Sequence, residues 1–180
     1  MPLAHIRNWP LALGLVGLLT GCTNTPFNKV ALREVDRSIT HTQAVTDANN
    51  VRNRHVVFGG NIIATRNLPD HSEIVVLAYP LNNVDRPDTS AAPLGRFIVI
   101  EPGYLEGANY APQRLLSVHG YLDGVRQEPL GESLYNYPII RPYELHLWPA
   151  EPEGGVFPRF HIGVGVSNSN VGGSVGMPIP

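Results

Sequence analysis

Between His55 and Trp148, apolar residues recur in short runs, several of period two, broken by Gly and Pro. That is the pattern of strands joined by turns. His55–Thr65 is rich in Val and Ile around the pair Gly59-Gly60, which predicts a bulge or tight bend in a strongly curved sheet. Glu73–Tyr79 is a nearly continuous apolar strand stopped by Pro80, and Arg96–Ile100 is a short strand between Gly95 and Pro102. Arg114–Leu122 alternates, with Leu116, Val118, Gly120 and Leu122 on one face and Ser117, His119 and Tyr121 on the other. In Glu144–Trp148, Leu145 and Leu147 face opposite to His146 and Trp148. These segments predict an all-β domain over residues 51–150, a small five-stranded barrel of the oligonucleotide/oligosaccharide-binding (OB) type, with a β-sandwich as the alternative. Gly103–Pro112, where such barrels often carry a helix, is too punctuated by Gly and Pro for more than a turn.

The flanks read differently. Residues 22–50 are expected to be a tether with a short helix. Leu32, Val35 and Ile39 share one helical face in Lys29–Ile39, and Thr40–Asn53 is polar, a loop or short helical turn. Residues 151–180 form a Gly/Pro-rich tail in which Gly154–Pro180 carries Arg159 as its one formal charge. Phe160, Ile162, Val164 and Val166 alternate there with smaller or polar residues. They allow one further strand before a flexible, low-complexity end.

At the N-terminus, Arg7 precedes a charge-free stretch from Trp9 to Leu19. As a helix it would span about 16 Å, well short of a bilayer core of about 30 Å. A positive start, a short apolar run and small residues at its end make residues 1–21 a secretory signal peptide. The run closes on Leu19-Thr20-Gly21-Cys22, which resembles the bacterial lipobox. The chemistry of that motif needs a thiol at the new N-terminus and small neighbours for signal peptidase II. Cys22 would carry the S-diacylglyceryl group and, after cleavage, an N-acyl chain such as palmitate. Leu19, Thr20 and Gly21 would be the peptidase recognition residues. A single acyl chain holds a protein only marginally, whereas several on one residue make release negligible. Thr23 replaces the Asp that commonly retains such proteins at the inner membrane, which favours the outer membrane.

Composition narrows the functional classes. The 180 residues carry 13 Lys+Arg against 15 Asp+Glu, a formal net charge of -2, with 18 Gly, 17 Pro and one Cys. One Cys excludes an internal disulfide framework and a thiolate-rich zinc site. Near-balanced charge argues against nucleic acid as a partner, since single-strand binding needs Lys and Arg to neutralise phosphates. Phe58, Tyr79, Phe97 and Tyr121 are therefore read mostly as packing rings rather than base-stacking platforms.

Chemistry-bearing constellations are sparse. The seven His show neither His-x-x-x-His nor His-x-His spacing, although His119 and His146 could meet across neighbouring strands. No Gly-x-Ser-x-Gly elbow or phosphate loop occurs. The expectation is no catalytic residue, no metal and no cofactor. Tyr135, Tyr137, Tyr143 and Trp148 could line a glycan or peptide surface, or form the rim of the barrel.

The series Phe58-Gly59-Gly60-Asn61-Ile62, Arg66-Asn67, Gly95-Arg96-Phe97, Val118-x-Gly120, Tyr135-Asn136-Tyr137-Pro138 and Leu147-Trp148-Pro149 resembles the Slp family over about residues 50–150. These are starvation-inducible outer-membrane lipoproteins of Gram-negative bacteria. Tyr104-Leu105-Glu106-Gly107 departs from the Phe-Leu-Asp-Pro-like turn expected there. The resemblance implies a lipid-anchored protein of the outer membrane, periplasm-facing, linked to stationary phase, starvation or acid stress, with no known catalytic residues. A structural or interaction role in the envelope, with an envelope protein or glycan as partner, is the first expectation. A binding module for a small ligand, glycan or peptide is the alternative.

Overall fold

The computed structural model describes residues 25–150. The expected signal peptide and lipobox with Cys22, and the strand expected from Phe160, lie outside them. The described residues form β1 (His55–Asn67), β2 (His71–Ala78), β3 (Gly95–Pro102), β4 (Leu115–Leu130) and β5 (Ser133–Leu147). Ahead of β1 come a single 3-10 turn (Ala31–Glu34) and the short helices α1 (His41–Thr46) and α2 (Ala48–Val51).

The sheet closes in a ring in the order β1-β2-β3-β5-β4. Every pairing is antiparallel except β3 with β5, which meet in parallel at Ile98 with Ile139 and Val99 with Ile140. The expected all-β, five-stranded architecture is therefore the one observed, with the sheet closed on itself. Closure depends on β1, whose first half pairs with β4 and whose second half pairs with β2. Gly60 and Asn61 pair with both neighbours, so the strand must bend there. A Cβ at Gly60 would collide with the backbone carbonyl of Leu77, and one at Gly59 would lie 2.8 Å from the Leu116 carbonyl oxygen. The glycine pair is thus required by close approach of backbones. The bulge itself sits slightly downstream, between Ile62 and Ala64.

Alternation decides which side chains enter the ring. Ile62, Ile74, Val76, Phe97, Val99, Leu116, Val118, Leu122 and Ile140 are all at most 2 % exposed and form its core. Phe58 packs its ring edge-on to Phe97 at 5.8 Å, whereas Tyr79 and Tyr121 lie outside the core cluster. Ala44 of α1 reaches the same core, with Ile39 and Val51 beside it, so the helical pair closes the end where β1 begins. Leu105 and Tyr110, from the turn-only segment after β3, pack in from the end where β1 finishes. The helical cover thus comes from before the first strand, where the sequence pattern suggests a loop or short helical turn. Thr40 starts α1 with a reciprocal capping box to Gln43.

The last two strands are much longer than the apolar patterns suggest. β4 runs on to Leu130 and β5 starts at Ser133, joined at Gly131, whose φ of 62° suits a tight turn. Pro138 and Pro142 conceal β5 in the sequence. Both are tolerated because Pro142 sits at the register shift beside Gly120, and Pro138 at the one between Leu122 and Val125. The extended hairpin curls over the outer face of β2 and β3, burying Ile98, Ile100, Tyr137 and Ile139 as a second, smaller core. Glu73 is buried beneath it at 3 % exposure and is met by Arg66 and Arg126, each at 2.7 Å. Arg126 also reaches Glu128 at 2.9 Å. Burial alone would raise the Glu73 pKa, but Arg126 and Arg66 hold it below the ordinary carboxylate range.

The ring geometry predicts a sharp difference between glycines. Gly60→Ala should cost about 3 kcal/mol or prevent folding, because the added methyl overpacks against backbone. Gly107→Ala, with nothing within 4 Å of its Cβ position, should change stability by less than about 0.5 kcal/mol. Urea denaturation of the two variants measures the contrast.

Candidate functional site

The segment expected to be a tether is, from Thr25 onward, an arm packed on the barrel. Helical periodicity in Lys29–Ile39 yields only the 3-10 turn. Asp36 accepts hydrogen bonds from the backbone N–H and hydroxyl of Ser38, a local alternative to helix, while Val35 is extended and bridges His55 in parallel.

One buried carboxylate pins the arm. Asp85, in the β2–β3 connection, is 2 % exposed and adopts φ 62° within a turn whose Asn82 side chain accepts from the N–H groups of Val84 and Arg86. Thr25 Oγ1 donates to Asp85 Oδ2 at 2.7 Å, and Arg37 donates through Nη1 and Nη2 at 2.8 and 3.2 Å. The hydrogen bond with Asp85 raises the Arg37 pKa further. The Asp85 carbonyl in turn accepts from Ser117 Oγ on β4 at 2.6 Å, and Ser117 Oγ accepts from Trp148 Nε1 at 2.8 Å. Both ends of the arm are therefore tied, through one loop, to the outer face of β4.

Between those ties Phe27 is 4 % exposed, with its ring 6.1 Å from that of His119. Its burial contributes about 2 kcal/mol to docking the arm. His119 is 1 % exposed, and neither ring nitrogen meets a hydrogen-bond partner. The rings of Tyr143 and His55 lie 5.5 and 6.1 Å away. Burial pushes its pKa down and His55 adds to this, against the opposing pull of Glu144 and Glu34. The imidazole is held neutral among aromatic neighbours.

Beside the clamp, the arm and α1 leave a cleft of about 430 Å³ against the ends of β1 and β2. Ile39, Phe58, Tyr79 and Leu81 supply its apolar walls, with Arg37 and His41 at its polar margin. His41 is held by a 3.0 Å contact from Nε2 to the Arg96 carbonyl oxygen, and burial lowers its pKa.

With this arrangement in view, comparison with known families matches residues 19–163 to the outer membrane lipoprotein Slp family. The chain belongs to that family. It is accordingly an outer-membrane lipoprotein. The match is wider than residues 50–150: it takes in the arm and begins at Leu19, the first residue of the lipobox. Outer membrane protein Slp of Escherichia coli K12 is 22 % identical over 138 residues, which cover 77 % of this chain and 73 % of that one.

The four aromatic residues that could line one surface or form the rim of the barrel are distributed over separate neighbourhoods. Tyr135 and Tyr137 stack edge-to-face at 4.7 Å under the curled hairpin, where Tyr137 is buried and the Tyr135 hydroxyl accepts from the Arg96 N–H. Tyr143 stands over His55 and His119 and is 55 % exposed. Trp148 packs against His146 and lies beneath the Arg86 guanidinium, 5.4 Å from it. His119 and His146 occupy staggered positions, paired across the ladder with Glu144 and Ser117 respectively. Among the described residues, no group of three or more His, Cys, Asp or Glu could hold a metal. Asp85, the residue that organises this face, reads in the sequence as a solvated loop carboxylate. The Asn82-x-x-Asp85-Arg86 turn is the only local signal, and nothing in it announces a partner 60 residues away.

Because the folded state keeps His119 neutral while the unfolded chain binds a proton near pH 6.5, its burial favours the fold above that pH. The stability it contributes falls away as pH drops toward the lowered folded value. His41 and His146, also lowered by burial, act in the same sense. His119→Phe should therefore be neutral or stabilising at pH 7. It should also make the decline of stability between pH 7 and pH 5 shallower, by at most about 1.4 kcal/mol per pH unit. Thermal melts across that range test it.

Proposed function

We propose that the protein is held by lipids on Cys22 at the periplasmic face of the outer membrane, and that its role there is structural, supporting the envelope under stress through contact rather than catalysis. The observation behind this reading is continuity between the lipobox and the clamped arm. Leu19-Thr20-Gly21-Cys22 ends only three residues before Thr25, which is tied to Asp85. An anchor so close to a packed arm suits a protein whose domain stays at the membrane.

Four of the described side chains that could do acid–base work are engaged or enclosed, which supports a non-catalytic role. Glu73 and Asp85 are occupied by arginines, Asp123 is paired with Arg52 and Arg141, and His119 is enclosed. Starvation or acid stress as the setting rests on the family resemblance. Cys22→Ala should abolish acylation, leave the precursor uncut and remove the protein from the outer-membrane fraction. Fractionation with mass spectrometry of the N-terminal peptide reads this, and an unacylated wild-type protein would overturn the proposal.

The cleft favours a second reading, a binding module for a small, largely apolar ligand. A ligand at a hundredfold its Kd should stabilise the fold by about 2.7 kcal/mol. Medium-chain fatty acids and hydrophobic dipeptides are suitable probes in a thermal-shift screen. Leu81→Trp, which fills the cleft, should remove the shift, and a shift that persists in that variant would exclude this site.

A further inference from the structure

We infer that the clamped arm fixes the orientation of the barrel, so that the outer face of β1 and β4, with the β2–β3 loop around Asn83, lies against the phospholipid surface. The curled β4–β5 hairpin then points away from it. This rests on the lipid anchor proposed at Cys22.

The argument begins with reach. Consecutive Cα atoms are 3.8 Å apart, so the three bonds from Cys22 to Thr25 span at most about 11 Å. A folded unit of this size is roughly 35 Å across. If Thr25 were the start of a loose tether, any face could meet the bilayer. It is instead tied to a buried carboxylate that is also held by Arg37 and, through its carbonyl, by β4. Phe27, two residues on, is buried against His119. The leash is therefore short and leaves the barrel from a defined place. The lipid surface must come close to that place, and the leash is too short to present the opposite side of the ring.

Strand order says which side is opposite. In the ring β1-β2-β3-β5-β4, the arm lies over β1 and β4, while the extended hairpin lies over β2 and β3. Leu134, at the tip of that hairpin, is 65 % exposed, and the tip is held to β3 by the Tyr135 hydroxyl, which accepts from the Arg96 N–H. The near side has chemistry suited to a headgroup layer. Lys29 and Arg33 are exposed along the arm, with Glu34 beside them, and Trp148 carries the Arg86 guanidinium over its ring. Val30 and Tyr143 present apolar surface beside the arm, at 69 and 55 % exposure. Aromatic and basic side chains of this kind gather at membrane–water interfaces.

Two labels distinguish the faces. Full-length acylated protein carrying Asn83→Cys or Leu134→Cys, each labelled with an environment-sensitive fluorophore, would be reconstituted in phosphatidylethanolamine/phosphatidylglycerol vesicles containing a headgroup-nitroxide lipid. The label at 83 should lose most of its emission, while the label at 134 keeps the emission it has without quencher. A flexible Gly-Ser insertion of about ten residues between Asn24 and Thr25 adds roughly 17 Å of reach without touching the fold, and should erase the contrast. Equal quenching at both positions in the uninserted protein would overturn the orientation, as would a contrast unaffected by the insertion. Protein that fails to float with the vesicles and shows a free Cys22 thiol by mass would instead overturn the anchor, and the orientation with it.

Discussion

The structure depends on a single constraint, that five strands can close into a ring only where backbones touch. β1 is shared between two partners, and the crossing point at Gly60 has no room for a Cβ because the Leu77 carbonyl occupies it. Gly120 meets the same condition against the Arg141 carbonyl, where β4 and β5 shift register. Once these contacts exist, the alternation of side chains does the rest, sending one set of residues inward and leaving the other on the outer surface. Five strands enclose little volume, so a ring of this size leaves apolar side chains on its outer face that need a second cover.

Two covers meet that need on opposite sides, and both are held in the same way. The curled hairpin lies over β2 and β3, with Glu73 beneath it receiving Arg66 and Arg126. The N-terminal arm lies along β1 and β4, with Asp85 receiving Thr25 and Arg37. In each case a carboxylate that is almost wholly buried meets guanidinium groups that remain 35 to 55 % exposed. Keeping the cation partly in water reduces the desolvation cost that makes fully buried pairs weak contributors. Removing the carboxylate frees the cover, whereas a partly solvated arginine can find water. Each carboxylate therefore acts as a positional device, specifying where an otherwise adaptable segment lies.

The parts of this architecture visible in the sequence are those set by local alternation. Leu116, Val118 and Leu122 face inward as their spacing predicts, and Leu145 and Leu147 oppose His146 and Trp148. What was not legible depends on partners distant in the chain. The first half of β5 is masked because Pro138 and Pro142 normally terminate strands, and only the register shifts of the finished hairpin make them acceptable. The arm is polar enough to look like a tether, since its docking rests on one phenylalanine and on hydrogen bonds to a loop far along the chain. For the same reason, Tyr135 and Tyr143 read as one surface in a linear string, although the curl of the hairpin sends them to different neighbourhoods.

The arm changes what an anchor at Cys22 can mean. A flexible tether gives a domain proximity to a membrane and nothing else, because its orientation averages over all directions. An arm that is itself part of the packed structure transmits the direction of the attachment as well. The energy required is modest: one buried ring, one charge-assisted pair and a short bridge between Val35 and His55 suffice, provided that no long flexible segment intervenes. The family match extends across the arm and begins at Leu19. The cleft of about 430 Å³ opens where arm, α1 and barrel meet, so its shape depends on the arm being docked. The proposed attachment and orientation would then be linked to the shape of that cleft through Asp85, buried beneath Thr25 and Arg37.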